Sequence, residues 1–143
     1  MFYFEVIAGH KSDEPMEIPT PAERDALFEE FARALFKHDM EALYRVVSPE
    51  FVWRYHDGVS PEVVLVGREA ILKHLEEKKT FFATSRFHEI VYHHLPVVSF
   101  MTFGVSEIVR STGERREQHG IEHYTFEGGK IATKDVYRKP IIR

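Results

Sequence analysis

From Arg86 to Arg138 the chain is almost unbroken strand-type sequence. Four runs, Arg86 to His94, Val97 to Arg110, Glu114 to Phe126 and Ile131 to Arg138, are rich in β-branched and aromatic residues. Ser111-Thr112-Gly113 and Gly128-Gly129 read as the turns between the last three. Consecutive strands joined by turns this short must pair antiparallel, because parallel strands need a long crossover. A meander of this length cannot stand alone. It has an apolar face to bury, and the preceding residues can bury it.

Those residues read as helical. Thr20-Pro21-Ala22-Glu23 is a capping box with proline at the first helical position. Leu27, Phe28, Phe31 and Leu35 follow at helical spacing, which predicts a helix over about 21–37. Asp39 caps a second helix carrying Met40, Leu43, Tyr44 and Val47, and Pro49 ends it. Phe51 to His56 alternates as a strand closed by Asp57-Gly58, and Val63 to Val66 is a short extended piece. Gly67 opens a third helix to about Lys79, with Ile71 and Leu75 inward. Met1 to Ile7 lacks the basic segment of a signal peptide and reads as a short strand, with Phe2 and Phe4 on one face. Gly9, Ser12, Asp13, Pro15 and Pro19 make residues 8–19 a linker. The expected organisation is an N-terminal strand and linker over 1–19, then one α+β domain over 20–143.

Composition narrows the function. With 143 residues, 43% of them hydrophobic and 29% charged, the chain is an ordinary globular length and mixture. It has no cysteine, which removes disulfides, thiolate metal sites and cysteine nucleophiles and fits a reducing cytoplasm. A net charge of −4 without a basic tract argues against nucleic acid. No apolar run approaches the ~20 residues of a membrane span. Phosphate loops, nucleophile elbows and dinucleotide fingerprints are missing from the sequence, so no cofactor is expected.

Hairpin register sorts the sheet residues. A turn centred on Thr112 sets Gly104 opposite Gly120, and paired strand glycines predict a sharply curved sheet. A two-residue Gly128-Gly129 turn sets Glu122 opposite Asp135 and Tyr124 opposite Thr133. One face then carries Phe100, Thr102, Glu122, Tyr124, Phe126, Ile131, Asp135 and Tyr137. The other carries Met101, Phe103, Val105, Ile121, His123, Lys134, Val136 and Arg138. Neither is uniformly polar, so helices are expected to cover one and a second copy of the chain the other.

These segments, in this order, resemble the nuclear-transport-factor-2-like superfamily, which includes ketosteroid isomerases, SnoaL-type polyketide cyclases and limonene epoxide hydrolases. The resemblance is carried by Phe31-Ala-Arg-Ala-Leu-Phe-Lys-His-Asp39 into Leu43-Tyr44, then Ser48-Pro-Glu-Phe-Val-Trp53, Gly67-Arg-Glu-Ala-Ile71 and Tyr124-Thr-Phe-Glu-Gly-Gly-Lys-Ile131. It spans residues 20 to 138 and implies a cone, a curved, mostly antiparallel sheet wrapped around helix 1, open over an apolar pocket and commonly dimeric through the outer face. It also places Tyr55 where ketosteroid isomerases carry their base and Phe31 where they carry a tyrosine donor. Glu122 keeps the second acid. Cyclases and epoxide hydrolases carry an acid on the last strand. Asp135 is the carboxylate there, although Val136 falls at the matching position.

Glu122 and Asp135 facing each other would split their pKa values, one acting as acid and one as base. The alternatives are that both point to solvent, or that a one-residue register change pairs Glu122 with Lys134. Trp53 and Tyr55 share a strand face and read as pocket wall or as core, with the Tyr55 hydroxyl a hydrogen-bond donor. The expected pocket is lined by Phe31, Trp53, Tyr55, Phe100, Tyr124 and Tyr137. His119 and His123 lie roughly 13 Å apart if extended, so the nine histidines predict no metal site. His123 is expected near Lys134 and Arg138. Three functions follow: cofactor-independent acid–base catalysis on a small apolar or cyclic molecule, using Glu122, Asp135 and Tyr55; ligand binding without chemistry; or association through the outer face.

Overall fold

A computed structural model describes residues 17–56 and 60–141. The expected N-terminal strand and the Asp57-Gly58 strand end lie outside the described residues. Helix α1 (Pro21–Lys37) starts at the Thr20 capping box as expected, with Glu23 closing the second half of the box. Helix α2 (Met40–Val46) is capped by Asp39, and β1 (Val47–His56) follows at once. Val47 and Pro49 are thus strand residues, where the sequence pattern placed Val47 in the helix. The short β2 (Val63–Val66) leads into α3 (Arg68–Phe81), then come β3 (Phe82–His94), β4 (Val98–Val109), β5 (Arg115–Glu127) and β6 (Lys130–Pro140). Among the described residues, no helix is long and apolar enough to cross a membrane.

The six strands form one curved, unclosed sheet in the order β2-β1-β6-β5-β4-β3. All neighbours are antiparallel except β1 and β6. The parallel pair is possible because the whole of β2 to β5 lies between those strands in sequence. Helix α1 lies in the concavity. Phe28 and Phe31 are 1% and 3% exposed, packed on Tyr124, Tyr92 and Phe51. Burial of such side chains, at about 2 kcal/mol each, is what holds helix to sheet.

Both expected registers are corrected by one residue. The β4–β5 loop turns about the midpoint of Ser111 and Thr112, so Gly120 faces Phe103 and Gly104 faces His119. Arg110 leaves the hairpin because the end of α3 holds it. Its backbone N–H donates to the Phe81 carbonyl, and its guanidinium donates to the carbonyls of Lys79, Thr80 and Phe82. The glycines still matter, one on each face. The Phe103 ring occupies the space a Gly120 side chain would take, and the His88 ring does the same at Gly104.

The β5–β6 hairpin begins in the expected register, with Glu127 opposite Lys130 and Phe126 opposite Ile131. Ala132 is then an extra residue on β6. Beyond this bulge Thr133 pairs with Thr125, Lys134 with Tyr124, Asp135 with His123 and Val136 with Glu122. The concave face therefore carries Met101, Phe103, Val105, Glu107, Glu122, Tyr124, Phe126, Lys134, Val136 and Arg138, all buried. Phe100, Thr102, Ile121, His123, Asp135 and Tyr137 stand on the outer face, as their pairing and contacts show.

Candidate functional site

The concave face carries charge that an apolar core would not. Deep in the cone, Glu122 and Tyr124 sit two residues apart on β5 and so point the same way. The Tyr124 hydroxyl donates to Glu122 Oε1. Lys134 Nζ reaches the same oxygen at 3.8 Å, the two side chains being 7% and 6% exposed. The ammonium lies 4.0 Å from the centre of the Trp53 ring and 5.2 Å from that of Phe31. Burial pulls the Lys134 pKa down against the opposing pull of Glu122, and Arg138 lowers it further. Burial, then the charge of Glu122, pushes the Tyr124 phenol well above its ordinary range. Across α1, Tyr92 is raised to about 12, by burial first and then by Glu122 and Asp25.

Four residues further along β6 a second ion pair crosses to β4. Arg138 Nη1 donates to Glu107 Oε2 at 3.2 Å and to Gln118 Oε1 at 3.3 Å. Ser85 Oγ donates to the same Glu107 oxygen at 3.1 Å. The Tyr55 ring lies beside this pair, with Arg138 Cζ 5.5 Å and Lys78 Nζ 5.7 Å from its centre. His74, one turn before Lys78 on α3, lies 6.4 Å from Tyr55 and 5.1 Å from Trp53, ring centre to ring centre. Burial, reinforced by Lys78, Lys134 and Arg138, lowers His74 to about 4, so it is neutral at pH 7. Burial and Arg138 lower Lys78 to about 7, with Glu107 opposing. Trp53 Nε1, His74 Nε2 and Arg138 Nε are buried without a hydrogen-bond partner among the described residues. Tyr55, His74 and Lys78 are only half-buried and Phe87 is 39% exposed, so this part of the interior meets solvent.

The expected site residues divide by face. Phe31, Trp53, Tyr55, Tyr124 and Glu122 gather inside. Phe100, Asp135 and Tyr137 do not, because the bulge at Ala132 and the β4–β5 loop turn them outward. Glu122 meets Lys134, the alternative register, and the pairing with Asp135 is overturned. On the outer face Asp135 accepts from Arg54 at 3.2 Å and lies 3.7 Å from His123 Nδ1. His123 is accordingly beside an acid and a Phe100 ring, away from Lys134 and Arg138. Tyr137 stacks on His56, 4.6 Å between centres.

Sequence reasoning passes over His74 and Glu107, and it reads the charged Glu76-Glu77-Lys78-Lys79 end of the third helix as a solvated face, from which Lys78 departs by reaching over the Tyr55 ring. Each has a signal. His74 and Lys78 extend the inward Ile71 and Leu75 at helical spacing, and Glu107 continues the alternation of Met101, Phe103 and Val105. Among the described residues, no group of three or more histidine and carboxylate side chains is placed to hold a metal ion. A surface groove lined by Ile18, Leu27, Glu30 and Gly129 includes none of these site residues.

The family model of the SnoaL-like domain matches residues 28–134. No curated protein matches the chain at a significant level. Solved structures of similar shape include a nuclear-transport-factor-2-like protein from Burkholderia xenovorans. It is 15% identical with a TM-score of 0.74, the match covering 87% of this chain and 93% of that one. A candidate hydroxylase from Streptomyces galilaeus is 20% identical, TM-score 0.59, with 87% and 82% covered. A candidate polyketide cyclase from Xanthomonas campestris is 14% identical, TM-score 0.64, with 81% and 90% covered. At such identities the likeness is one of fold.

Proposed function

Because this chain belongs to the SnoaL-like domain family, we propose that it takes a small apolar or cyclic molecule into the cone and moves a proton on it without a cofactor. The observation that carries this reading is the buried junction of Glu122, Tyr124 and Lys134. A carboxylate there is a base in an environment of low dielectric. The Tyr124 hydroxyl and Lys134 ammonium beside it are donors that can stabilise an oxyanion as it forms. Such a set suits abstraction of a proton next to a carbonyl, the step shared by isomerisation and aldol-type cyclisation. Phe31, Trp53 and Tyr55 supply aromatic walls, with the Tyr55 hydroxyl a further handle. The names of similar structures, a hydroxylase and a cyclase among them, agree with small-molecule chemistry in this fold.

The test is solvent-deuterium incorporation into a panel of cyclic ketones, followed by NMR. The native chain is expected to accelerate exchange at the carbon next to the carbonyl. Glu122→Gln should slow it by about 100-fold while ketone affinity survives. Ketones that bind without accelerated exchange would make the chain a binding module and remove proton transfer from its description.

The outer face favours a second role alongside the first. Val91, Ile121 and Tyr137 are 49%, 45% and 49% exposed, a run of apolar surface that a second copy of the chain would cover.

A further inference from the structure

The interior between β1, α3 and β6 holds donors that no described residue satisfies. An indole N–H and a guanidinium Nε–H can only donate, so only an acceptor can partner Trp53 Nε1 and Arg138 Nε. Their residues are 4% and 8% exposed. Buried donors of this kind are rare because each forfeits its hydration. The Arg138 guanidinium lies over the Tyr55 ring, which also has Lys78 and His74 beside it, and His74 packs edge-on to Trp53. The ionic balance has the same sign. Lys78, Lys134 and Arg138 face only Glu107 and Glu122 among the described residues of the interior. The walls are flat rings. Besides Trp53 and Tyr55, Phe87 and Phe103 lie 5.5 Å and 5.7 Å from the Arg138 guanidinium carbon.

We propose that this part of the interior is an anion site that receives the carboxylate of a cyclic or aromatic acid, held by Trp53 Nε1–H and Arg138 Nε–H with Lys78 as its counter-charge. The inference rests on the reading of the cone as a small-molecule site and names the ligand's chemical class. Neutral His74 can donate or accept through Nε2 according to tautomer, and so adapts to the second oxygen. Placed this way, the ring of the acid lies against Tyr55 and Phe87.

A pH dependence follows. Lys78 titrates near 7 because burial, Arg138 and Lys134 oppose its charge more than Glu107 and Glu122 support it, with His74 on the same helix neutral. A bound carboxylate adds the missing negative charge, so Lys78 takes up a proton on binding. Affinity therefore falls as pH rises above 7.

Calorimetric titration with matched pairs tests this: 1-naphthoate against 1-naphthamide, and cyclohexanecarboxylate against its amide. The acids are expected to bind at least tenfold more tightly than the amides at pH 6.5, with the gap narrowing by pH 9. Trp53→Phe, which removes the N–H and keeps the ring, should weaken acid binding at least fivefold. Lys78→Met should remove the pH dependence, and circular dichroism shows whether each variant folds. Equal affinity for acid and amide overturns the anion site and leaves the small-molecule reading standing. An acid preference untouched by both variants also overturns it, because the acid then sits elsewhere. Failure of every acid and amide to bind overturns both readings together.

Discussion

At the scale of residues, the interior is a set of charges whose cost depends on their partners. Lys134 is the only cation within 4 Å of Glu122 among the described residues. Lys134→Met leaves that carboxylate buried with the Tyr124 hydroxyl alone, and should destabilise the fold by about 3 kcal/mol. Adding Glu122→Gln removes the stranded charge and should recover most of the loss. Urea unfolding of both single variants and the double gives the coupling directly. His74 makes a second residue-scale prediction. Its pKa is about 4 in the fold against 6.5 in the unfolded chain, so between those values the unfolded state binds more protons. The stability from keeping it neutral is complete above 6.5 and is lost as pH falls through 4. His74→Gln should flatten the stability profile in that window, read as unfolding midpoints from pH 4 to 7. A native profile as flat as the variant's would mean that His74 protonates freely in the fold.

At the scale of elements, one arginine joins the first helix to the hairpin that ends the sheet. Arg24 is 2% exposed. It donates to the carbonyls of Pro19, Leu95, Pro96 and Val98 and to Ser99 Oγ. Its guanidinium also lies 4.9 Å from the Phe126 ring centre. Arg24→Met keeps much of the packing and orphans those carbonyls. A loss of about 3 kcal/mol is expected, with faster hydrogen exchange at the Leu95 N–H that closes the hairpin onto Val98. Unchanged exchange there would show that the hairpin holds itself. This element scale is where the sequence reads best. Helix α1 and its cap, the short β2, α3 and the four final strands are legible because amphipathic periods of 3.6 and 2 are local properties. Arg24 itself sits one turn before Leu27 and Phe28, on the face the pattern marks as inward. The site was legible only in half. Phe31, Trp53, Tyr55, Glu122 and Tyr124 share the interior because their elements fix their faces. Lys134 and Asp135 exchanged faces because a bulge is a one-residue event that no local pattern announces. The partnership of Arg138 with Glu107 crosses from β6 to β4 and depends on the same register.

At the scale of the whole molecule, the two sheet faces divide the work. The inner face is proposed for ligand and chemistry and the outer for a second copy. Ile121→Glu on the outer face should shift a dimer to a monomer in analytical ultracentrifugation while circular dichroism stays native. A chain already monomeric without the substitution would leave that face for something else. Phe103, by contrast, is 3% exposed inside the cone, so a charge there would attack the core rather than the assembly. Ala132 is the residue by which β6 exceeds its partner. Excising that alanine would restore plain pairing along the hairpin with every partner kept, Thr133 on Thr125, Lys134 on Tyr124 and Asp135 on His123. A lineage of such chains could therefore lose that codon and keep its cationic interior, because the bulge takes up one residue of length without turning over the strand beyond it.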